Sequence, residues 1–434
     1  MSILIKNVNV ITMNKNKDII EDGVVVVREN LIVDVGDKSL ISNYSDCQII
    51  DGEGGILIPG MVNAHTHASM VVFRSLGDDV PDRLQRYIFP LEKKMVDEQL
   101  VYIGAKYAIV EMLLGGVTTF ADMYYFEDEV AKAVQEAGIR AVLGETVVNF
   151  SAPDCKESYG GLDYSKWFIE KWKDSQLITP AVAPHAPYTN SEESLKKIIQ
   201  ISEKYDVPIM MHAAEMKYEF EDCIEKYNMT PMAYLDSIGM LNERFVGAHL
   251  IHVTDEDLKL IKERKVGISH NVGANAKGGK GTAPAVKMYK SDMKIGLGTD
   301  GAMSGNTLDI ITQMSLVGKV HKLINEDRTL FPASEIVEMA TIGGARALNM
   351  DDEIGSIEVG KKADLVIMET KSINMQPIYD YYSALVYSAN PSNVDTVMVN
   401  GKILVENKCL KSLNIGQIMY QIKSVREKIQ KFGF

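Results

Sequence analysis

The runs GMVNAH (60–65), GVTTFAD (116–122), IRAVLGE (139–145), ITPAVAPH (178–185), VPIMMHA (207–213), FVGAHL (245–250), VGISHN (266–271) and MKIGLGTD (293–300) decide the fold. Each is short and apolar, and stretches of helical pattern separate them. That is the sequence form of βα units whose strands lie parallel. Eight such units predict an α/β chain with a TIM-type (β/α)8 barrel over residues 59–353. Each run ends on, or is closely followed by, residues able to do chemistry: His65 and His67, Asp122, Glu145, His185, His212, His249, His270 and Asp300. Barrel active sites form at the C-terminal ends of the strands, so these eight ends are expected to converge on one pocket. Only His321, on the helix after the last run, lies outside the pattern.

On either side of this middle the character changes. ILIKNVNVITM (3–13), GVVVVRENLIVDVG (23–36) and QIIDGEGGILIPG (48–60) read as strands with Gly and Asn turns, and so do GSIEVGKKADLVIMET (355–370) and VDTVMVNGKILVENK (394–408). They predict a small β-sandwich domain built from both chain termini, residues 1–58 plus 354–434. Ile415, Ile418, Ile422, Val425 and Ile429 recur at helical spacing and predict a closing amphipathic helix.

Composition sets the outer bounds. With 46% apolar and 24% charged residues, the 434-residue chain has the make-up of a soluble protein with ample core. Its 46 Lys and Arg against 59 Asp and Glu give a formal charge of −13, which argues against a nucleic-acid or anionic-membrane partner. Cys47, Cys155, Cys223 and Cys409 form no CxxC pair, and four scattered thiols fit a reducing compartment. Charges interrupt every apolar stretch before it could span a bilayer, and MSILIKNVNVITM lacks a secretory signal's features. A cytoplasmic protein acting on a small molecule is the expectation.

His65 and His67 are two apart on a strand, so both rings point the same way and can form half of a metal site. His212 and Asp300, from distant runs, complete a set of three imidazoles and one carboxylate around one divalent cation, with room for water. Asp300 alone would equally suit a helix N-cap. Glu215, three residues after His212, is placed to shuttle protons, with a solvated surface glutamate as the alternative. His249 is a further candidate for polarising the water or steadying an intermediate.

PGMVNAHTHASM (59–70), HAAE (212–215), GAHL (247–250) and GLGTDGAMS (296–304) resemble the metal-dependent amidohydrolase superfamily. IFPLE (88–92), VEMLLGGVTTFADMYY (110–125) and APHAPYT (183–189) resemble its 5-methylthioadenosine/S-adenosylhomocysteine deaminases, as do ADLVIME (363–369) and DTVMVNGKILVEN (395–407) near the C-terminus. The resemblance implies His65, His67, His212 and Asp300 as ligands of one metal, with zinc first and iron or manganese as alternatives. It implies Glu215, His249 and Asp300 as the catalytic groups, with water activated by the metal displacing an amino group as ammonia. It also implies Glu92 on the ribose hydroxyls, His185 in the nucleoside pocket, Ser304 against the substrate tail, and possible homo-oligomers. The implied substrate is an adenine nucleoside such as methylthioadenosine or adenosine; guanine, pterin or triazine rings are the alternative. His185 stands where two-metal members of the superfamily usually carry a bridging lysine, which favours a single ion.

Three departures bear on the substrate. Arg83-Leu84 replaces a Trp-Leu pair, which removes a stacking surface. Glu145 stands where relatives that accept the homocysteine tail place an arginine, and a carboxylate there would repel that tail, making S-adenosylhomocysteine the less favoured substrate. HNVGANAKGGKGTAP (270–284) replaces a compact HxPxSNxKL pattern. Its GxxxxGK[ST] spacing fails for a phosphate-binding loop, so it reads as an active-site flap.

Overall fold

The computed structural model describes residues 2–432, apart from the side chain of Leu84. Sixteen strands among them form two sheets of eight. The barrel strands are β5 (Met61–Thr66), β6 (Val117–Tyr124), β7 (Arg140–Val147), β8 (Ile178–Pro184), β9 (Ile209–Ala213), β10 (Phe245–His249), β11 (Gly267–His270) and β12 (Lys294–Leu297). They follow the eight runs read from the sequence. All neighbours pair parallel in sequence order from β5 to β12. The ring closes where the N–H groups of Thr299 and Asp300 donate to the His65 carbonyl, at 3.2 and 3.0 Å.

Parallel strands covered by helices are buried on both faces, which is why these runs are apolar throughout rather than alternating. Every residue of β6 and β7 is buried. Helices start where the sequence supplies a cap: Asp97, Ser191, Thr254 and Asp309 each accept a hydrogen bond from the N–H three residues on.

The second sheet comprises β1 (Ser2–Ile11), β2 (Ile19–Arg28), β3 (Leu31–Asp37) and β4 (Gln48–Pro59) with β13 (Leu365–Met368), β14 (Val394–Val399), β15 (Lys402–Glu406) and β16 (Cys409–Leu410). β4 joins the two chain ends, pairing parallel with β1 and antiparallel with β13. The ladder folds over itself around one apolar cluster that includes Ile5, Val27, Ile32, Leu365 and Met398. At the fold, the Asn30 amide side chain donates to Asn400 Oδ1 and the Gly401 N–H donates to the Ala363 carbonyl. The closing helix spans Ile415–Gln430 and buries Ile418, Val425 and Ile429, but it lies on the barrel helix Glu98–Leu114, and Ile415 stays exposed. Among the described residues no helix is long and apolar enough to cross a membrane.

Gly60 alone separates β4 from β5. A Cβ there would meet Thr118 Oγ1 at 2.0 Å, so only glycine lets the chain pass from one sheet into the other at this point. A few ångströms away, Arg140 at the start of β7 grips Asp364 with Nε and Nη2, at 2.9 and 3.2 Å. The Asn400 N–H donates to the same carboxylate at 2.6 Å, and both charged side chains are almost fully buried. Removing one partner of such a pair strands a charge and costs about 3–5 kcal/mol. Arg140→Met should therefore lower the unfolding free energy, read from denaturant titration, by about 3–5 kcal/mol; a loss of less than about 1 kcal/mol would show that the pair does not hold the sheet to the barrel.

Candidate metal centre and active site

Three strand ends, those of β5, β9 and β12, bring the expected ligands together. His67 Nε2 lies 3.1 Å from His212 Nε2 and 3.3 Å from Asp300 Oδ1, and His65 Nε2 lies 3.9 Å from the same oxygen. The other ring nitrogens are already engaged: Nδ1–H of His67 donates to the Met123 carbonyl at 2.6 Å, and Nδ1–H of His212 to the His185 carbonyl at 2.7 Å. Those bonds fix the tautomer and turn each Nε2 inward, as in metal-bound imidazoles. His65 Nε2 and His249 Nε2 are buried and have no hydrogen-bond partner. Donor atoms of His65, His67 and Asp300 lie within 4.8 Å of one another, and so do those of His65, His212 and His249. The donor set fits a divalent cation.

The backbone is bent to achieve this. Ala214, His249, Leu250 and Asp300, at or just past the ends of β9, β10 and β12, have φ of 50°, 76°, 47° and 57°. A non-glycine residue in the left-handed region costs on the order of 1–3 kcal/mol, and such strain collects at functional sites. Here it turns the chain at the mouth so that His249 and Asp300 face the centre.

Protonation shows what the cluster lacks. Burial and the neighbouring imidazoles push His65 and His212 well below the ordinary histidine range. Burial works against a charge on His67 too, but its hydrogen bond to Asp300 and that carboxylate's charge raise it to about 9. Asp300 resists burial and stays ionised because His67 bonds to it and carries the opposite charge. A proton on His67 thus stands where a metal's charge would.

Glu215 flanks this centre, with Oε1 3.7 Å from His249 Nε2. Burial disfavours its charge, yet His249, Lys280 and His212 lower it to about 2. His249 Nδ1 is held by Asn275 Oδ1 at 2.8 Å. Glu92 is buried and accepts from the Tyr124 hydroxyl at 2.8 Å; burial raises it to about 7. The His185 ring sits 4.9 Å from that of His212, and burial, together with His67's charge, lowers it to about 4. Ser304 lies on the short turn Ala302–Gly305 just beyond Asp300.

Not every strand end converges. Asp122, ending β6, turns away to accept the Ala68 N–H at 2.7 Å. His270 pairs with His321 across 2.9 Å, so the histidine outside the pattern supports one inside it. Glu145 is fully buried, accepts the Glu127 N–H at 3.1 Å, and is kept neutral by burial and by Asp154. Its side chain is fully buried against the Glu127 backbone, which weakens the expectation that its charge repels an anionic substrate. The 270–284 loop forms a helical turn, Val272–Lys277, and drops Lys280 onto Glu215.

Sequence reasoning missed Asn275, Tyr124 and Lys280. Asn275 falls on the Asn of the HxPxSNxKL pattern, five residues after His270, and could have been found there; nothing in the spacing of Tyr124 and Lys280 marks them, and they reach the site from a neighbouring strand and a loop.

A parallel barrel with imidazoles and a carboxylate gathered at its C-terminal mouth defines a metal-binding hydrolase barrel. The Amidohydrolase family profile matches residues 56–404, and the chain belongs to that family. It is 42% identical to a 5-methylthioadenosine/S-adenosylhomocysteine deaminase of Thermodesulfovibrio yellowstonii over 92% of each chain. With the deaminase of that name from Syntrophobacter fumaroxidans it shares 37% identity over 99% of this chain and 98% of that one. Its fold is similar to a zinc-bound adenosine deaminase from Xanthomonas campestris, with a TM-score of 0.97, 30% identity and coverage of 99% and 98%. The zinc complex of an atrazine chlorohydrolase from Arthrobacter aurescens shares the fold at a TM-score of 0.90 and 23% identity, over 98% of this chain and all of that one.

Because His67 holds its proton up to about pH 9, a metal must displace that proton. Zinc affinity, read by competition with a chelating dye, should rise with pH from 6.5 towards 9; an affinity flat over that range would contradict a proton held in the metal's place.

Proposed function

We propose that this protein is a zinc-dependent hydrolytic deaminase of adenine nucleosides, of the methylthioadenosine and adenosine type. The observation that carries the reading is Glu215 and His249 standing beside the His65, His67, His212 and Asp300 cluster, with Glu92 and His185 on the surrounding wall. The names of the 36–42% identical relatives support the same reaction. Cytoplasmic location and self-association belong to the same reading, as does a division into a hydrolase barrel (59–353) and a terminal domain (1–58 plus 354–434).

His65, His67, His212 and Asp300 would hold the ion, which when bound supplies the Lewis acidity that lets water ionise near neutral pH. The remaining chemistry belongs to the side chains. Asp300 and His249 take the first proton as the water oxygen bonds to the amino-bearing ring carbon. Glu215, ionised at rest, receives that proton and delivers it to the adjacent ring nitrogen, then takes the second proton from the new hydroxyl group and delivers it to the departing amine. Water's two protons thus end on the ring nitrogen and on ammonia, and a ring carbonyl remains. Glu92 accepts from the ribose hydroxyls, His185 lines the base pocket, and Ser304 meets the sugar's substituent.

A second reading keeps the chemistry and changes the ring to guanine, a pterin or a triazine. Arg83 favours it, since its guanidinium is turned to Asp78 and the Met303 carbonyl and offers no aromatic surface for adenine.

Ammonia release from methylthioadenosine and adenosine should exceed that from guanine, pterins and triazines; no turnover of any adenine nucleoside by zinc-loaded protein would sink the first reading. Glu215→Gln should keep its zinc and lose at least about 100-fold in kcat, within the usual range for a general acid–base group. Asn275→Ala should cost about 10–100-fold in kcat with zinc content unchanged, because His249 loses the bond that aims it.

A further inference from the structure

Glu219 is a buried carboxyl to which the reaction above gives no part. It is the third residue of the helix Lys217–Tyr227, and a glutamate there commonly reaches back to the N-cap N–H. Here that bond, from Met216, is the longest of three, at 3.4 Å. The short ones go to earlier residues: Oε1 accepts the Ala214 N–H at 2.8 Å, and Oε2 the Glu215 N–H at 2.9 Å. The carboxyl therefore grips the turn that presents Glu215 more closely than it grips the helix.

That turn pivots on Ala214, whose φ of 50° lies in the left-handed region that disfavours alanine. Its backbone is held from both sides. While Glu219 takes the N–H, the Ala214 carbonyl accepts the N–H groups of Ile251 and His252, at 2.9 and 2.8 Å. Those residues follow the left-handed pair His249 and Leu250, and the Leu250 N–H donates to the Ala213 carbonyl at 3.1 Å. The turn carrying Glu215 and the turn carrying His249 are thus hydrogen-bonded to each other, with Glu219 fastening the first. Across them Glu215 Oε1 stands 3.7 Å from His249 Nε2.

We propose that Glu219 is a positioning residue, whose carboxylate holds the 213–216 turn in the strained shape that aims Glu215 at the reacting ring and sets it against His249. Without that carboxylate the Ala214 and Glu215 N–H groups lose their acceptors. Ala214 then relaxes out of the left-handed region, and Glu215 moves with it. The proposal rests on the deamination reading for the work of Glu215, and on the three N–H bonds for that of Glu219.

The test is a double-mutant cycle on zinc-loaded protein with methylthioadenosine. It is run at about pH 8, above the value of about 7 to which burial raises Glu219. Glu219→Gln keeps one oxygen acceptor and loses the other; it should lower kcat per bound zinc about 10–100-fold, with KM within about 3-fold of the parent. In a Glu215→Gln background the same change should cost less than about 3-fold, because the group it aims is already disabled. Equal losses in both backgrounds would make Glu219 a structural cap only and overturn the proposal, as would a parent-like kcat. Should Glu219→Gln fail to fold, Glu219→Asp takes its place in the same cycle with the same outcomes deciding. Should the parent release ammonia from no adenine nucleoside, the deamination reading falls alone, and a crystal structure of the Glu219 variant decides. Ala214 out of the left-handed region with Glu215 displaced by about 1 Å or more supports the proposal, and an unmoved turn overturns it.

Discussion

Three imidazoles and a carboxylate with donor atoms 3.1 to 3.9 Å from their neighbours, nearly out of reach of water, need a positive charge among them. In the folded chain that need falls on a proton shared between His67 and Asp300, while burial holds His65 and His212 neutral and ready to donate electron pairs. Much of the local structure follows from this demand. Backbone carbonyls of Met123 and His185 occupy the outer nitrogens so that the inner ones converge, and the chain accepts left-handed residues at three strand ends to complete the ring.

A cluster so arranged stands only if the scaffold beneath it is stiff. Parallel strands buried on both faces supply that stiffness, and the barrel is tied at its lower end to the terminal sheet through Arg140 and Asp364. The terminal sheet is thus bound to the start of β7, at the end of the strand away from the metal-site cluster. The upper loops carry Arg83 and the segment from Asn271 to Pro284, with Asn275 orienting His249 and Lys280 reaching Glu215.

Charge at this site cannot be read by counting residues. The net charge of −13 says nothing about the pocket, and the acidic Glu145 near the end of β7 is fully buried, where desolvation pushes its carboxyl well above the ordinary range. Asp122 and Glu145 point inward to backbone N–H groups, where a carboxyl serves as a hydrogen-bond acceptor that shapes a loop. Identical chemistry at neighbouring strand ends was thus divided by packing: some ends face the cavity and others brace its walls.

The sequence alone determined the barrel, because eight apolar runs separated by helical stretches admit few other closures, and it determined the paired chain ends through their returning β pattern. It also marked His65, His67, His212, Glu215, His249 and Asp300, since chemistry at the ends of parallel strands must meet at one mouth. It overreached at Asp122, Glu145 and His270, because strand position fixes where a residue lies but not which hydrogen bond its side chain takes. Tyr124 and Lys280 were invisible for a related reason: they reach the site across a neighbouring strand and a loop, and no short spacing records such a meeting, whereas Asn275, five residues after His270, sits where the HxPxSNxKL pattern has its Asn. Only the tertiary structure decided which charged groups border the site, because Glu145 is buried against the Glu127 backbone while a turn of the 270–284 loop brought Lys280 to Glu215.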